Sequence, residues 1–468
     1  MKPVVCIDVV GLSTRQISAE TPHLSRLLRE GCGAPMRPIL PAVTCSAQAT
    51  MLTGLAPSAH GAVGNGWYMR ETGEANLWRQ SNALVTGEKT YEAVKRLHPQ
   101  ATTAKIFWWW NLGAAVDYAI TPRPYYPADG RKIPAVYAAP HEYGAKLEAE
   151  LGAFPFFDFW GPKSGLPSSR WLADAAVKTI GQRQPTLTMV YLPHLDYDHQ
   201  RFGPDHPRSL QALREVDTLV GDIRAAAEAI GAATMVVSEY SIEEAHTPVH
   251  INRVLRQAGL AAVRQTPNGE VFDPFGSRAF AVADHQVAHV YAKDRKALDA
   301  ARAVVRQLAG VAEVLEGPSR AAAGLDHARA GDLVLVAKPG AWFTYYHWLD
   351  DACAPDFART VDIHRKHGYD PCELLLDPQL PLPMARIALR LLQKKLGMRY
   401  LMDVIPLDAS LIKGTHGRVD ADPARGAVFL CSQPWSACGG EPRAQQAGTP
   451  IVEMAEVKAR TLALMSRV

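Results

Sequence analysis

The sequence lacks the features that mark membrane proteins and nucleic-acid-binding proteins. Its 468 residues carry a formal net charge of only +3, and no run of five or six like charges appears. The charge pattern therefore points to no nucleic-acid polymer and no membrane as a partner. No apolar run approaches the roughly 20 residues that span a bilayer. The opening MKPVVCIDVVGL has no apolar signal core, so we expect a cytoplasmic protein.

Cysteine is scarce and irregularly placed. The seven cysteines are an odd number with no regular spacing: Cys6, Cys32, Cys45, Cys353, Cys372, Cys431 and Cys438. This distribution does not indicate a disulfide framework. Because no CxxC pair exists, we also expect no cysteine zinc site. Reduced thiols are consistent with the cytoplasmic location that we expect.

Alternating apolar runs and helical segments predict an α/β fold. TLTMVYLPHL at 186–195 and ATMVVSEY at 233–240 have the pattern of buried strands, and 206–230 that of an amphipathic helix. Such a strand, helix, strand unit is the crossover of a parallel sheet. Together with a strand at 2–10 and a helix at 21–30, it predicts a doubly wound, mainly parallel central sheet flanked by helices.

Two stretches interrupt this pattern. Residues 65–167 are rich in Gly, Pro, Trp and Tyr, and predict cap segments and loops. Within them, IFWWWN at 106–111 has the pattern of a strand, with one face available to wall a substrate pocket or to join the core. Residues 261–396 predict an inserted small α/β lobe with loops. We expect a single domain over 1–468 that carries both inserts.

The segment PAVTCSAQATMLTG places a hydroxyl at the start of a helix. No helix breaker occurs between Cys45 and Thr53, and Gly54 supplies a left-handed stop. Thr44 is therefore a candidate N-cap. The unpaired N–H groups of a helix N-terminus form an anion site, although an ordinary capping role explains the residue equally simply.

Three acids follow predicted strands. Asp8, Asp196 and Glu239 each stand at the carboxyl end of an apolar run. In an open α/β sheet these ends meet along one edge, where ligands bind. Clustered carboxylates there indicate a metal or phosphate site.

Three motifs together resemble the alkaline phosphatase superfamily: CIDVVG at the N-terminus, TMLTGLAPSAHG after Thr44, and the late KGTHGRV. The likeness is closest to the type I phosphodiesterase and nucleotide pyrophosphatase branch. It implies that Thr44 is the nucleophile and that two divalent ions, first of all Zn²⁺ but alternatively Mn²⁺, Fe or Mg²⁺, assist it. The metal-binding positions that it implies are Asp8, Thr44, Asp196, His199, Gln200, Glu239, Tyr240 and His416.

The chain departs from the family pattern at several of these positions. Glu239 and Tyr240 stand where the family usually has Asp-His, and neutral tyrosine is a rare metal ligand. A gapless match puts Gln200 at a family histidine, with His199 one residue early. His364 and His367 in VDIHRKHGYD are alternative sources of the missing imidazoles.

The resemblance implies a metal-dependent phosphoric ester hydrolase, of the phosphodiesterase or nucleotide pyrophosphatase type, acting on a small phosphorylated substrate. A phosphomonoester or phosphonate hydrolase of the same superfamily is one alternative. A non-catalytic relative that binds a phosphate ligand through a degenerate metal site is the other. Nothing in the sequence fixes the oligomeric state.

Overall fold

A nine-stranded mixed sheet organises the computed structural model, which describes residues 1–128, 131–442, 448 and 450–466. The strands, in chain order, are β1 (Val4–Val9), β2 (Cys32–Arg37), β3 (Gly66–Met69), β4 (Glu74–Leu77), β5 (Thr103–Ile106), β6 (Tyr118–Pro122), β7 (Val136–Ala139), β8 (Leu187–Leu192), β9 (Ala233–Val237), β10 (Glu243–Glu244), β11 (Thr247–Val249), β12 (Ala262–Thr266), β13 (Gly269–Asp273), β14 (Ala279–Asp284), β15 (Val287–Ala292), β16 (Val311–Leu315), β17 (Leu333–Ala337), β18 (Ala341–Phe343), β19 (Gly414–Thr415), β20 (Ala427–Cys431) and β21 (Val452–Glu453).

Helices cover both faces of this sheet. In chain order they are α1 (Pro22–Glu30), α2 (Thr44–Thr53), α3 (Pro57–His60), α4 (Thr90–Leu97), α5 (His141–Leu151), α6 (Leu166–Arg183), α7 (His194–Phe202), α8 (Pro207–Ala229), α9 (Ile251–Gln257), α10 (Arg295–Val305), α11 (Pro318–Ala322), α12 (Pro383–Lys395) and α13 (Val457–Met465). None of the helices in the described ranges is long and apolar enough to cross a bilayer.

The central sheet has the order β21-β2-β20-β9-β1-β8-β5-β6-β7. The five strands from β9 to β6 run parallel, whereas β20 and β7 are antiparallel to their neighbours. The predicted α/β fold with a doubly wound, mainly parallel sheet is thus confirmed. The pattern that predicted it is the β8, α8, β9 crossover, whose elements lie within a few residues of their expected bounds.

Each strand of the sheet centre is buried on both faces, so side chains of alternate residues enter two different cores. Val5, Ile7 and Val9 of β1 pack with apolar residues of α1, α5, α6 and α8. Val4 and Cys6 face the opposite layer, which includes α2, α4 and α13. This two-layer burial fixes the carboxyl ends of the central strands along one edge.

The prediction of a strand at 106–111 is wrong. Strand β5 ends at Ile106, and Phe107 and Trp110 take left-handed backbone angles, with φ of 60° and 59°. Buried Lys105 donates from Nζ to the carbonyl oxygens of Trp109 at 2.8 Å and Trp110 at 2.9 Å. The chain therefore turns tightly around the Lys105 side-chain nitrogen, which an apolar run of aromatic residues does not reveal.

Residues 279–337 form an antiparallel sheet of their own, in the order β14-β15-β17-β16, against which α9 and α10 pack. Part of the stretch 65–167, which was predicted as cap segments and loops, belongs to the central sheet, because β5, β6 and β7 extend that sheet. The limits of the two inserts, 65–167 and 261–396, and the single-domain assignment of 1–468 stay predictions.

Candidate active site

Thr44 is the first residue of α2, and the N-cap is Val43. The prediction that Thr44 caps the helix is therefore wrong in register by one residue, because the extended N-cap conformation falls on Val43. The Thr44 side chain makes no capping hydrogen bond, and its Oγ1 lies 3.2 Å from Tyr240 Oη. The hydroxyl is thus not engaged by the helix backbone, although it stays at the positive end of the helix.

The motif that follows Thr44 holds α2 in place. The His60 ring accepts from the Ala62 amide through Nδ1 at 3.1 Å, which leaves Nε2–H to donate to Thr50 Oγ1 at 2.9 Å. Burial lowers the pKa of His60 to about 3, so the ring is neutral. Gly54 ends the helix at φ 74°, as the sequence predicts.

Asp8, Glu239 and Asp196 come together where β1, β9 and β8 end. Asp8 lies opposite Val237 of β9 and Tyr191 of β8. Burial, followed by the charge of Glu239, raises the pKa of both Asp8 and Asp196 well above their ordinary values, and burial also raises the pKa of Glu239. The carboxylates are thus costly to keep ionised in this site.

Several of their oxygens have no donor. Among the described residues, neither carboxylate oxygen of Asp8 has a hydrogen-bond partner, and Glu239 Oε2 has none. Both side chains are fully buried. Because an ionised buried carboxylate needs a compensating group, these oxygens indicate a place for a cation.

His416 has the arrangement of a metal-binding imidazole. Its Nδ1 lies 2.9 Å from the Ala42 carbonyl oxygen, to which it donates, and its buried Nε2 has no partner among the described residues. Burial lowers the pKa of His416 to about 3. A neutral ring whose second nitrogen is held by a backbone carbonyl is how histidine ligands are usually oriented.

Tyr240 lies between the nucleophile candidate and Asp196. Its ring stacks on His416 with centroids 3.5 Å apart, and its hydroxyl donates to Asp196 at 3.1 Å from Oδ2 and 3.3 Å from Oδ1. Burial, followed by the charges of Asp196 and Glu239, raises the pKa of Tyr240 well above its ordinary value. The phenol therefore keeps its proton and points it at Asp196.

Gln200 and His199 take different positions on α7. Gln200 lies one turn after Asp196, and its Oε1 accepts from Tyr369 Oη at 2.9 Å. The His199 ring is buried, and within the described ranges neither of its nitrogens has a hydrogen-bond partner. Tyr369 thus holds the Gln200 side chain, whose Nε2 has no hydrogen-bond partner among the described residues, whereas no hydrogen bond holds the His199 ring.

The two loop histidines, His364 and His367, also lie in different places. His364 lines the same pocket as Thr44 and Asp196. His367 is half-buried in the lobe, where its ring meets Phe272 with centroids 5.0 Å apart. Of the two alternative imidazoles, only His364 therefore borders the site.

Two further residues, Gln48 and His285, belong to the site and were not predicted from the sequence. Gln48 donates from Nε2 to Glu239 Oε1 at 2.6 Å and accepts from the Trp109 amide at 2.5 Å. Its signal was available, since it lies one turn after Thr44 on the same face of α2. His285, whose ring lies 3.6 Å from that of His416, comes from a lobe turn that carries no recognisable motif.

A pocket opens onto this cluster. Thr44, Asp196 and Tyr240 line it, and Lys132 is among its other lining residues. Much of the wall is aromatic and includes Trp78, Trp109, Tyr126, Phe156, Phe159 and Trp160. The pocket can therefore enclose a small molecule with an apolar or planar part and bring a reacting group to Thr44.

Comparisons with known proteins agree with the class of protein that the fold and the site indicate. Residues 4–370 match the family described as type I phosphodiesterase/nucleotide pyrophosphatase. The chain belongs to this family, and with it to the alkaline phosphatase superfamily. The family resemblance stated from the sequence is thus confirmed.

Among curated proteins, the chain is similar to a Schizosaccharomyces pombe protein described as an uncharacterized pyrophosphatase/phosphodiesterase. The two are 23% identical over 205 residues, which are 43% of this chain and 36% of that protein. The match therefore spans only about a third of that relative's length.

Solved structures match over nearly the whole chain. Phosphonoacetate hydrolase from Sinorhizobium meliloti 1021, in complex with phosphonoformate, has a TM-score of 0.61 at 15% identity and covers 99% of this chain and 96% of its own. Murine ectonucleotide pyrophosphatase/phosphodiesterase 5, an inactive variant in complex with AMP, has a TM-score of 0.57 at 12% identity and covers 100% and 96%. At these identities the likeness establishes the alkaline phosphatase-like fold.

Proposed function

We propose that the protein is a metal-dependent hydrolase of phosphoric or phosphonic esters that uses Thr44 as its nucleophile. One observation carries this proposal: the Thr44 hydroxyl lies at a helix N-terminus, contacts Tyr240 Oη and not the backbone, and lines an aromatic pocket beside buried carboxylates. A residue that only capped the helix would spend its hydroxyl on the backbone.

The side chains present fit divalent cations. Asp8 and Glu239 offer unpartnered oxygens, and His416 offers Nε2; Asp196 and Gln200 complete the set that the resemblance implies. Such ions, when bound, lower the cost of forming an alkoxide and neutralise charge on the phosphoryl oxygens. Hard carboxylate ligands with one or two imidazoles suit Zn²⁺ or Mn²⁺.

The hydrogen-bond chain from Thr44 through Tyr240 to Asp196 supports a route for the nucleophile's proton. Because the Tyr240 proton is directed at Asp196, Thr44 must donate to Tyr240 Oη. As Oγ1 attacks phosphorus, its proton passes to Tyr240 and the Tyr240 proton passes to Asp196. The leaving group departs as the phosphothreonine forms, and water then cleaves that ester.

The pocket supports a small substrate with an aromatic or apolar group attached through phosphorus. The aromatic wall gains from burying such a group, and Lys132 supplies a positive charge for an anionic part. A phosphodiester or pyrophosphate fits this description, as does a monoester or phosphonate.

The proposal is tested by metal analysis together with hydrolysis assays. We expect the purified protein, loaded with Zn²⁺ or Mn²⁺, to cleave bis(para-nitrophenyl) phosphate, para-nitrophenyl phosphate or an aryl phosphonate, and chelation to remove that activity. Release of nitrophenol is the readout. Stoichiometric metal binding without turnover on any of the three substrates would contradict the proposal.

One observation favours the alternative of a non-catalytic binding protein. Tyr240 stands where the family usually has a histidine, and its hydroxyl engages Asp196. If calorimetry detects binding of an aryl phosphate while no substrate turns over, the chain is a binder.

Asp8→Asn is expected to stabilise the metal-free protein while it weakens metal binding. The substitution removes a buried carboxyl group that has no donor and whose ionised form burial disfavours, so the free energy of unfolding at neutral pH should rise by about 1–3 kcal/mol. Thermal unfolding with and without Zn²⁺ measures both effects.

Asp117→Asn is the matched control, since Asp117 accepts from the Thr103 amide at 2.7 Å and from Lys95 at 2.9 Å. This carboxylate is well partnered, and its replacement should lower stability. A fall in the stability of the metal-free Asp8→Asn protein would show that Asp8 is not an uncompensated charge.

A further inference from the structure

We propose that Cys32, Cys431 and Cys438 form a thiolate site for one thiophilic metal ion of the Zn²⁺ type, separate from the candidate active site. Their sulfur atoms all lie within 4.8 Å of one another, and all three residues are buried. Among the described residues, this is the one group of three or more His, Cys, Asp or Glu that meets that spacing. No cysteine zinc site was predicted from the sequence, because the chain has no CxxC pair.

The sulfur spacing matches ligands of one ion. Cys32 Sγ lies 3.6 Å from Cys438 Sγ. Thiolates that bind Zn²⁺ tetrahedrally at about 2.3 Å lie about 3.8 Å from one another, whereas a disulfide requires about 2.05 Å. The distance is thus close to that between two ligands of a shared ion.

Three separate pieces of backbone build this cluster. Cys32 begins β2 and Cys431 ends β20, and the two lie directly opposite each other in the antiparallel pair. Cys438 returns to them after a short 3-10 turn over Trp435–Ala437. A Cβ at Gly31 would lie 1.9 Å from the Cys431 carbonyl oxygen, so glycine allows this close approach.

The surroundings suit a negatively charged metal centre. Three thiolates around a divalent ion leave a net charge of about −1. Arg460 donates from Nη1 to the Cys438 carbonyl at 3.1 Å, and its guanidinium lies over the rings of Phe429 and Trp435. Glu456, the carboxylate partner of Arg460, is one-third exposed. Solvent therefore screens the negative charge of Glu456 more than it screens the positive charge of the buried Arg460 guanidinium. The Gln433 amide donates to Cys431 Sγ at 3.4 Å.

The cluster is distinct from the candidate active site. Cys431 lies opposite Met235, in the middle of β9, whereas Glu239 follows the carboxyl end of that strand. Three sulfur ligands leave one of the four positions that Zn²⁺ prefers for water or an added thiol. We therefore expect this ion to stabilise the fold and to play no part in the reaction.

Cobalt substitution tests the proposal. Protein purified with a reductant, stripped of metal and titrated with Co²⁺, should develop an intense near-ultraviolet absorption from thiolate-to-metal charge transfer. Carboxylate and imidazole ligands of the candidate active site give no such band. Cys438→Ser should lose most of it, and Cys32→Ser serves as a second variant if the first does not fold.

Cys353→Ser is the control, because Cys353 is partly exposed and outside the cluster, and it should keep the band. The wild-type spectrum alone decides against the proposal if no charge-transfer band forms. A band that survives both Cys438→Ser and Cys32→Ser also overturns it. Protein isolated without a reductant gives one further test. The proposal is overturned if this protein, once denatured, has two free thiols fewer than its seven cysteines and, after reduction, binds no Co²⁺ at sulfur.

Discussion

Thr44→Ala is expected to lower kcat by about 10⁴-fold or more, because it removes the atom that attacks phosphorus. The fold should persist, since the Thr44 hydroxyl makes no capping bond and its contact is Tyr240 Oη at 3.2 Å. Metal content should also be largely kept, because the carboxylates and His416 are unchanged. Steady-state kinetics with an aryl phosphodiester, thermal unfolding and metal analysis measure the three effects.

Thr44→Ser is the matched control. It keeps the oxygen but loses the methyl group that restricts the side chain to few rotamers, so kcat should stay within roughly 100-fold of wild type. Near-wild-type hydrolysis by Thr44→Ala would move the attack to a water molecule and reduce Thr44 to a structural residue.

Tyr240→Phe is expected to lower kcat by about 10²- to 10⁴-fold, the usual range for loss of a positioned proton acceptor. The variant deletes the hydroxyl that joins Thr44 to Asp196 and keeps the ring that stacks on His416. Since Tyr240 acts here through its proton, metal content should not change. Single-turnover kinetics and metal analysis on the same sample measure both quantities.

Tyr291→Phe is the control for this substitution. Tyr291 is equally buried, but its hydroxyl donates to the Arg329 carbonyl at 2.9 Å in the lobe, so kcat should not change. If Tyr240→Phe loses one equivalent of metal together with its activity, Tyr240 is a ligand and the proton route is wrong.

The central part of the fold was predictable because its signals are local. Apolar runs predict strands β1, β8 and β9, and helical periodicity predicts α8 between β8 and β9. The acids at the strand ends followed from the same argument, since parallel strands end along one edge. Antiparallel β20 between β2 and β9 was not predictable in this way, because its partners are distant in the chain.

The details of the site depend on contacts that no local pattern encodes. The aromatic run at 107–110 turns because buried Lys105 binds two carbonyl groups. His285 reaches His416 from the lobe. Cys32 and Cys438 meet across 406 positions of sequence, so a search for neighbouring cysteines could not find them.

The most direct measurement of the central claim is acid-quenched trapping of the phosphorylated enzyme. Metal-loaded protein is mixed with para-nitrophenyl phosphate or bis(para-nitrophenyl) phosphate, quenched within one turnover, digested and analysed by mass spectrometry. The proposed mechanism predicts a phosphoryl or phosphoryl-ester adduct on Thr44 that appears before steady state. Product release with no adduct on Thr44 at any quench time, or an adduct on another residue, would contradict it.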